Sequence, residues 1–209
     1  MQYTIETSLL KAITPFQSKE QAGFYLNGVY FDNGLLVATD GHKLAAIKPF
    51  NAEGNITNFI LPAETVKRIL SVKAGKREVV KVTFTTGDTW QAKVFTGETI
   101  LAIFPFQLVD GTFPDWRRVI PLEDNYTGNG VNSAKFNMAY LSSFASLAEH
   151  GRLYMHNVDE YSPCLFRAET SEYSALGVLM PMRDGLAIET IPSWLLEKKT
   201  ATAKKRKTK

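Results

Sequence analysis

Apolar and polar positions alternate with period two over short stretches of this chain, and turn signals separate the stretches. Residues 2–6 alternate in this way. Residues 9–14 then carry Leu9, Leu10 and Ile13 at helical spacing, with Ser8 placed to cap the helix and Pro15 to stop it. Residues 24–31 and 34–39 read as strands joined at Asp32-Asn33, and residues 44–48 as another. The same order then returns. A strand at 57–61 runs into Pro62, well placed at a helix start, and a helix with Val66, Ile69 and Leu70 on one side and Lys67 and Arg68 on the other. Strands follow at 79–85, 89–95 and 99–104, separated by Gly87-Asp88 and Gly97-Glu98.

A third round follows the Gly/Asn-rich join at 125–130. It predicts a strand over 131–136 and a helix capped by Asn137, with Leu141, Phe144, Ala145 and Ala148 on one face. Strands come next at 151–156, 164–168 and 175–180. The chain is therefore α+β and made of strand–helix–three-strand units. Two units fill a domain over residues 1–121, and the third, in residues 122–196, has no twin. A unit of this kind must bury its apolar face against a second layer. That layer comes from the first domain, from another chain, or from residues 184–196, where Leu186, Ile188, Ile191, Trp194, Leu195 and Leu196 supply apolar material.

Composition narrows the class. The 209 residues are 44% hydrophobic and 11% aromatic, which excludes a disordered or low-complexity chain. Net charge is +3 but unevenly spread. Residues 1–121 carry +2, residues 122–196 carry −5, and residues 197–209 carry +6. The last of these reads as a disordered basic tail suited to phosphate polymers. No apolar run is long enough to cross a membrane and the start lacks a signal-peptide pattern, so the expected compartment is the cytoplasm. A single cysteine excludes both an internal disulfide and a CxxC metal site.

Catalytic chemistry finds little support. Thr39-Asp40-Gly41-His42 places an acid and a base two residues apart, but Asp-Gly is a turn signal and no nucleophile accompanies it. His150 and His156 lack partners at metal-ligand spacing, Cys164 sits in an apolar strand, and phosphate-loop, dinucleotide and nucleophile-elbow motifs are absent. The expectation is a protein that is not an enzyme and needs no metal or cofactor. Two runs remain. Phe113-Pro114-Asp115-Trp116-Arg117-Arg118-Val119-Ile120-Pro121 combines aromatics, arginines and prolines. Val178-Leu179-Met180-Pro181-Met182-Arg183 sets two methionines around a proline, a soft apolar surface able to accept varied side chains.

Together with Phe24-Tyr25-Leu26-Asn27-Gly28-Val29, residues 37–45, residues 108–121 and Phe136-Asn137-Met138-Ala139-Tyr140-Leu141, these runs resemble the bacterial replicative sliding clamp family, the beta subunit of DNA polymerase III. Residues 1–121 are similar to the family's central domain, and residues 131–183 to the second half of its C-terminal domain. The resemblance implies the sliding-clamp fold and a role as a processivity factor. It also implies a groove that accepts linear peptides of DNA polymerase and repair proteins through Leu and Phe anchors. Matched residue by residue, the resemblance assigns to that groove Leu26, Thr39, Gly41, His42, Lys43, Leu44, Pro114, Arg118, Val119, Tyr140, Val178, Leu179, Met180, Pro181, Met182 and Arg183. Lys43 stands where Arg is common in the family.

The resemblance also implies contact with the backbone of double-stranded DNA without sequence readout. Lys67, Arg68, Lys73, Lys76 and Arg77 on the second helix and its loop suit that contact, supplemented by Lys204, Lys205, Arg206 and Lys207 of the tail. The family closes a ring of six domains. Four chains of one and a half domains would supply six, with the unpaired halves meeting across two-fold axes, so a homo-oligomer is expected. The alternative is an adaptor or decoy that keeps the groove and encircles nothing.

Overall fold

The computed structural model describes residues 1–19, 25–76, 78–87, 89–120, 134–148, 152–156 and 159–183. The first unit is β1 (Gln2–Glu6), α1 (Thr7–Ile13) with a 3₁₀ turn at Thr14–Phe16, β2 (Gly28–Asp32), β3 (Leu35–Thr39) and β4 (Lys43–Pro49). A short strand, β5 (Glu53–Asn55), leads to the second unit. This comprises β6 (Phe59–Pro62), α2 (Ala63–Ser71), β7 (Lys81–Thr85), β8 (Trp90–Thr96) and β9 (Thr99–Phe106). The third has α3 (Met138–Leu141), which continues as a 3₁₀ helix over Ser142–Ala148, then β10 (Arg152–His156), β11 (Cys164–Glu169) and β12 (Tyr173–Leu179).

The first two units interlock by exchanging strands. The strand before each helix pairs antiparallel with the strand after the other's helix, β1 with β7 and β6 with β2. The third unit joins differently. Its last strand pairs with the last strand of the first unit, from Tyr173 opposite Pro49 to Leu179 opposite Lys43. One sheet therefore runs β10-β11-β12-β4-β3-β2-β6 across the join, beside a second of order β5-β1-β7-β8-β9.

The larger sheet is covered on both faces, so β3 and β4 are almost continuously apolar. Leu36, Ala38, Ala45 and Ile47 enter the main core with α1, α2 and the smaller sheet. Val37, Leu44, Ala46 and Val178 face the other way, under Phe113 and Trp116. The third unit is fastened by Phe144, fully buried, whose ring lies 4.1 Å from that of Phe166 and meets Phe16 edge-on at 5.0 Å. Gly177 makes room for it, since a Cβ there would stand 2.4 Å from the Phe144 ring. The first domain thus supplies part of the layer that the third unit needs.

Several expectations change. Ser8 does not cap α1. The cap residue is Glu6, without a side-chain bond, and the Thr7 N–H donates to Val80 O at 2.9 Å, so β7's lead-in meets the helix start instead. Ser8 lies inside the helix and donates to Glu172 at 3.0 Å. Asn137 does cap α3, accepting from the Ala139 N–H at 2.9 Å. The helix then tightens to 3₁₀ winding, which brings every third residue round. Leu141, Phe144 and Leu147 share the inner face and Ala145 is exposed. Residues 134–136 form no strand, and β5 was not expected. Residue 24, residues 131–133, the join at 125–130, residues 184–196 and the tail lie outside the described residues. Among the described residues, no helix is long and apolar enough to cross a membrane.

Candidate peptide-binding groove at the sheet junction

Where β12 joins β4, the outer face of the larger sheet carries an apolar groove of about 330 Å³. Leu44 and Val178 form its floor, Leu26, Thr39, Gly41 and His42 one wall, and Pro114, Asp115, Trp116 and Val119 the opposite one, with Met180 at the rim. Strand alternation selects these residues. Val178 and Met180 point into the groove, and Leu179 between them is fully buried in the main core.

The wall at 39–43 is a tight turn. Asp40 accepts from the His42 and Lys43 N–H groups at 3.0 Å each, and Gly41 has φ +89°, a conformation that favours glycine. The Asp-Gly pair is a turn former, as its sequence suggests. The His42 imidazole stacks on the Tyr140 ring at 5.2 Å and 12°, so Tyr140 acts on the groove through His42 and does not line it.

The opposite wall, a 3₁₀ helix at Trp116–Val119, is pinned by one carboxylate. Buried Asp32 accepts from Trp116 Nε1 at 2.9 Å and from Arg117, whose guanidinium also lies 4.2 Å from the Trp116 ring centroid. Burial works against ionising Asp32, but the bonds from Trp116 and Arg117 and the Arg117 charge outweigh it and hold the carboxyl below the usual range. A carboxylate with a depressed folded pKa contributes stability above its unfolded value, about pH 4, and loses it as pH falls through the folded value. Asp32→Asn is expected to flatten the acid limb of the stability curve and to loosen the Trp116 wall. Urea titrations from neutral pH into acid check this, and an unchanged limb would assign the acid sensitivity elsewhere.

Lys43 lies at the groove but turns its ammonium inward. Nζ donates to Pro15 O at 2.5 Å and Ser143 Oγ at 2.6 Å, with Asp40 at 3.8 Å. Its pKa is lowered by burial, partly offset by Asp40 and reinforced by Lys19. Only its alkyl stem is offered to the groove, and its charge ties α1's end to the third unit.

Of the sixteen residues assigned to the groove, ten line it. Arg118 is exposed on the 3₁₀ helix, Pro181 is buried, and Met182 and Arg183 are exposed beyond the rim. Asp115 and Trp116 line the wall without having been singled out. The aromatic in the 113–121 run was the available signal. Lys67 and Arg68 are exposed on α2, opposite buried Val66 and Ile69, and Arg68 rests 4.6 Å from the Phe104 ring centroid. Lys73 and Lys76 are exposed in the loop that follows. Arg77, Lys204, Lys205, Arg206 and Lys207 lie outside the described residues. Cys164 is fully buried, and burial pushes its thiol up to about 12. Among the described residues, no group of three His, Cys, Asp or Glu side chains is placed to hold a metal ion.

Residues 7–115 match the family described as DNA polymerase III beta subunit, central domain. The chain belongs to this family. It is 30% identical over 130 residues to the beta sliding clamp of Salmonella typhimurium, covering 58% of this chain and 34% of that protein. It is 32% identical over 119 residues to that of Haemophilus influenzae, covering 54% and 31%. The chain thus matches about a third of the length of these relatives. The fold is that of sliding clamps. The Bartonella birtlesii clamp, solved bound to griselimycin, superposes with a TM-score of 0.61 at 22% identity, over 87% of this chain and 66% of that one. The Borrelia burgdorferi beta subunit gives 0.64 at 16% identity, over 88% and 65%.

Proposed function

We propose that this chain is a sliding-clamp-like processivity factor whose groove holds linear peptide motifs of DNA polymerase and repair proteins. The observation that carries the reading is the apolar groove at the β4–β12 junction, which brings together residues from four separated stretches of chain. Each anchor side chain that becomes fully buried there contributes about 1.5–3 kcal/mol. The test is titration of a labelled peptide carrying Leu and Phe anchors against the purified protein, with a peptide in which both anchors are Ala as control. Equal binding of the two peptides would remove the reading.

The exposed Lys67, Lys73 and Lys76, with Arg68 beside them, support a second role for the same protein, non-specific contact with duplex DNA. Lys73→Ala is expected to weaken duplex binding evenly across sequences. It should also reduce the slope of log K against log salt by about 0.9. A slope unchanged in this variant would detach the basic loop from DNA contact. The adaptor reading shares the groove and differs only in assembly.

A further inference from the structure

All five methionines of the chain, Met1, Met138, Met155, Met180 and Met182, are exposed, and the one cysteine is not. Cys164 is fully buried with its thiol pushed up to about 12, so it presents almost no thiolate to an oxidant. The sulfur atoms open to a dissolved oxidant are therefore thioethers. Oxidising a thioether turns a flexible apolar side chain into a polar one.

Of the five, Met180 is the one in the groove lining. Its backbone is held in place, because its N–H donates to His42 O at 3.2 Å and the next residue, Pro181, is buried. Its side chain is 40% exposed, beside a floor of Leu44 and Val178. In the open groove a sulfoxide oxygen at this position is hydrated. Under an apolar anchor it loses that water and needs a donor from the walls. Most of the donors there are committed. Trp116 Nε1 donates to Asp32, Thr39 Oγ1 donates to Lys43 O at 2.8 Å, and the Lys43 ammonium donates to Pro15 O and Ser143 Oγ. Among the lining side chains this leaves the His42 imidazole, its ring plane fixed by the Tyr140 stack. A polar group buried without a partner opposes binding.

We infer that Met180 is a modification site: its oxidation by a peroxide to the sulfoxide closes the groove to apolar anchors, and reduction reopens it. The sulfur lone pair attacks one oxygen of hydrogen peroxide. The S–O bond forms as the O–O bond breaks, the proton on the transferred oxygen passes to the departing hydroxide, and water leaves. Sulfur is oxidised by two electrons and the peroxide is reduced by two. The return step takes two electrons from a pair of thiols, which become a disulfide, and the sulfoxide oxygen leaves as water. Met182 lies beyond the rim, and Met1, Met138 and Met155 stand outside the lining, so sulfoxides at those positions add no polar group to the groove. The inference rests on the peptide reading of the groove proposed above.

The test treats the full chain with hydrogen peroxide and maps the oxidised methionines by mass spectrometry of proteolytic fragments. The Leu/Phe anchor peptide is titrated before treatment, after it, and after incubation with methionine sulfoxide reductases and a thiol. Met180→Leu keeps an apolar side chain without sulfur, and its own untreated affinity is its reference. The expected result is a wild type weakened at least about tenfold by peroxide and restored by the reductases, with its melting temperature unchanged. Peroxide leaves the affinity of Met180→Leu where it was, although its other four methionines still oxidise. Equal weakening in the variant, no weakening once Met180 is mapped as the sulfoxide, or a Met180 that escapes while the other methionines react overturns the inference. So does a fall in melting temperature large enough to account for the lost binding. Failure of the untreated protein to bind the peptide overturns the proposed function as well, and it is distinguishable because it shows before any oxidant is added.

Discussion

Phe144→Ala releases the third unit from the first domain, with an expected stability loss of about 3–5 kcal/mol. The side chain is fully buried, packed between Phe16 of the first unit and Phe166 of the third, over a glycine kept bare for it. Gly177 offers no atoms to refill the space, and the neighbouring rings are held by their own strands, so a cavity remains. Equilibrium unfolding in urea reads the effect. A loss below about 1 kcal/mol would mean that the β4–β12 ladder alone holds the join. Because Val178 and Met180 reach the groove only through β12, the same variant also weakens the anchor peptide.

Met180→Ala weakens the anchor peptide about tenfold to a hundredfold and leaves stability nearly unchanged. The side chain is 40% exposed at the rim of the groove, so little of the folded core depends on it. Its flexible thioether covers apolar ligand surface, and losing about 1.4 kcal/mol is a factor of ten in affinity. Tyr140→Ala has a smaller effect, since Tyr140 touches the groove only by stacking on His42. Peptide titrations of the two variants side by side check the order. Equal losses would place Tyr140 in direct contact with the peptide. Affinity unchanged in both would move the peptide site away from this junction.

The groove was legible as runs of residues rather than as a surface. The 39–44 turn, Pro114, Val119, Val178 and Met180 each stand in a short run with its own chemical character. Two features hid the rest. Trp116 reads as a linker aromatic until the buried Asp32 carboxylate, 84 positions earlier, is seen to hold its indole N–H. Lys43 reads as a ligand for a peptide until the end of α1 and Ser143, a hundred residues later, are seen to take its ammonium.

By itself the sequence determined what local chemistry decides. Period-two alternation placed the strands, the Asn137 amide set the start of α3, and Asp40-Gly41 set the turn at the groove, because each depends on residues a few positions apart. The tertiary structure decided what depends on distant partners. Val80 made a Ser8 cap unnecessary. The bed offered by Phe16 and Phe166 goes with a 3₁₀ helix that buries Leu147 in place of Ala145. β12 met β4 because both last strands had an open edge and core-type side chains to cover. Residues 134–136 form no strand although the sequence predicts one, because alternation assigns side chains to faces and does not by itself form a ladder.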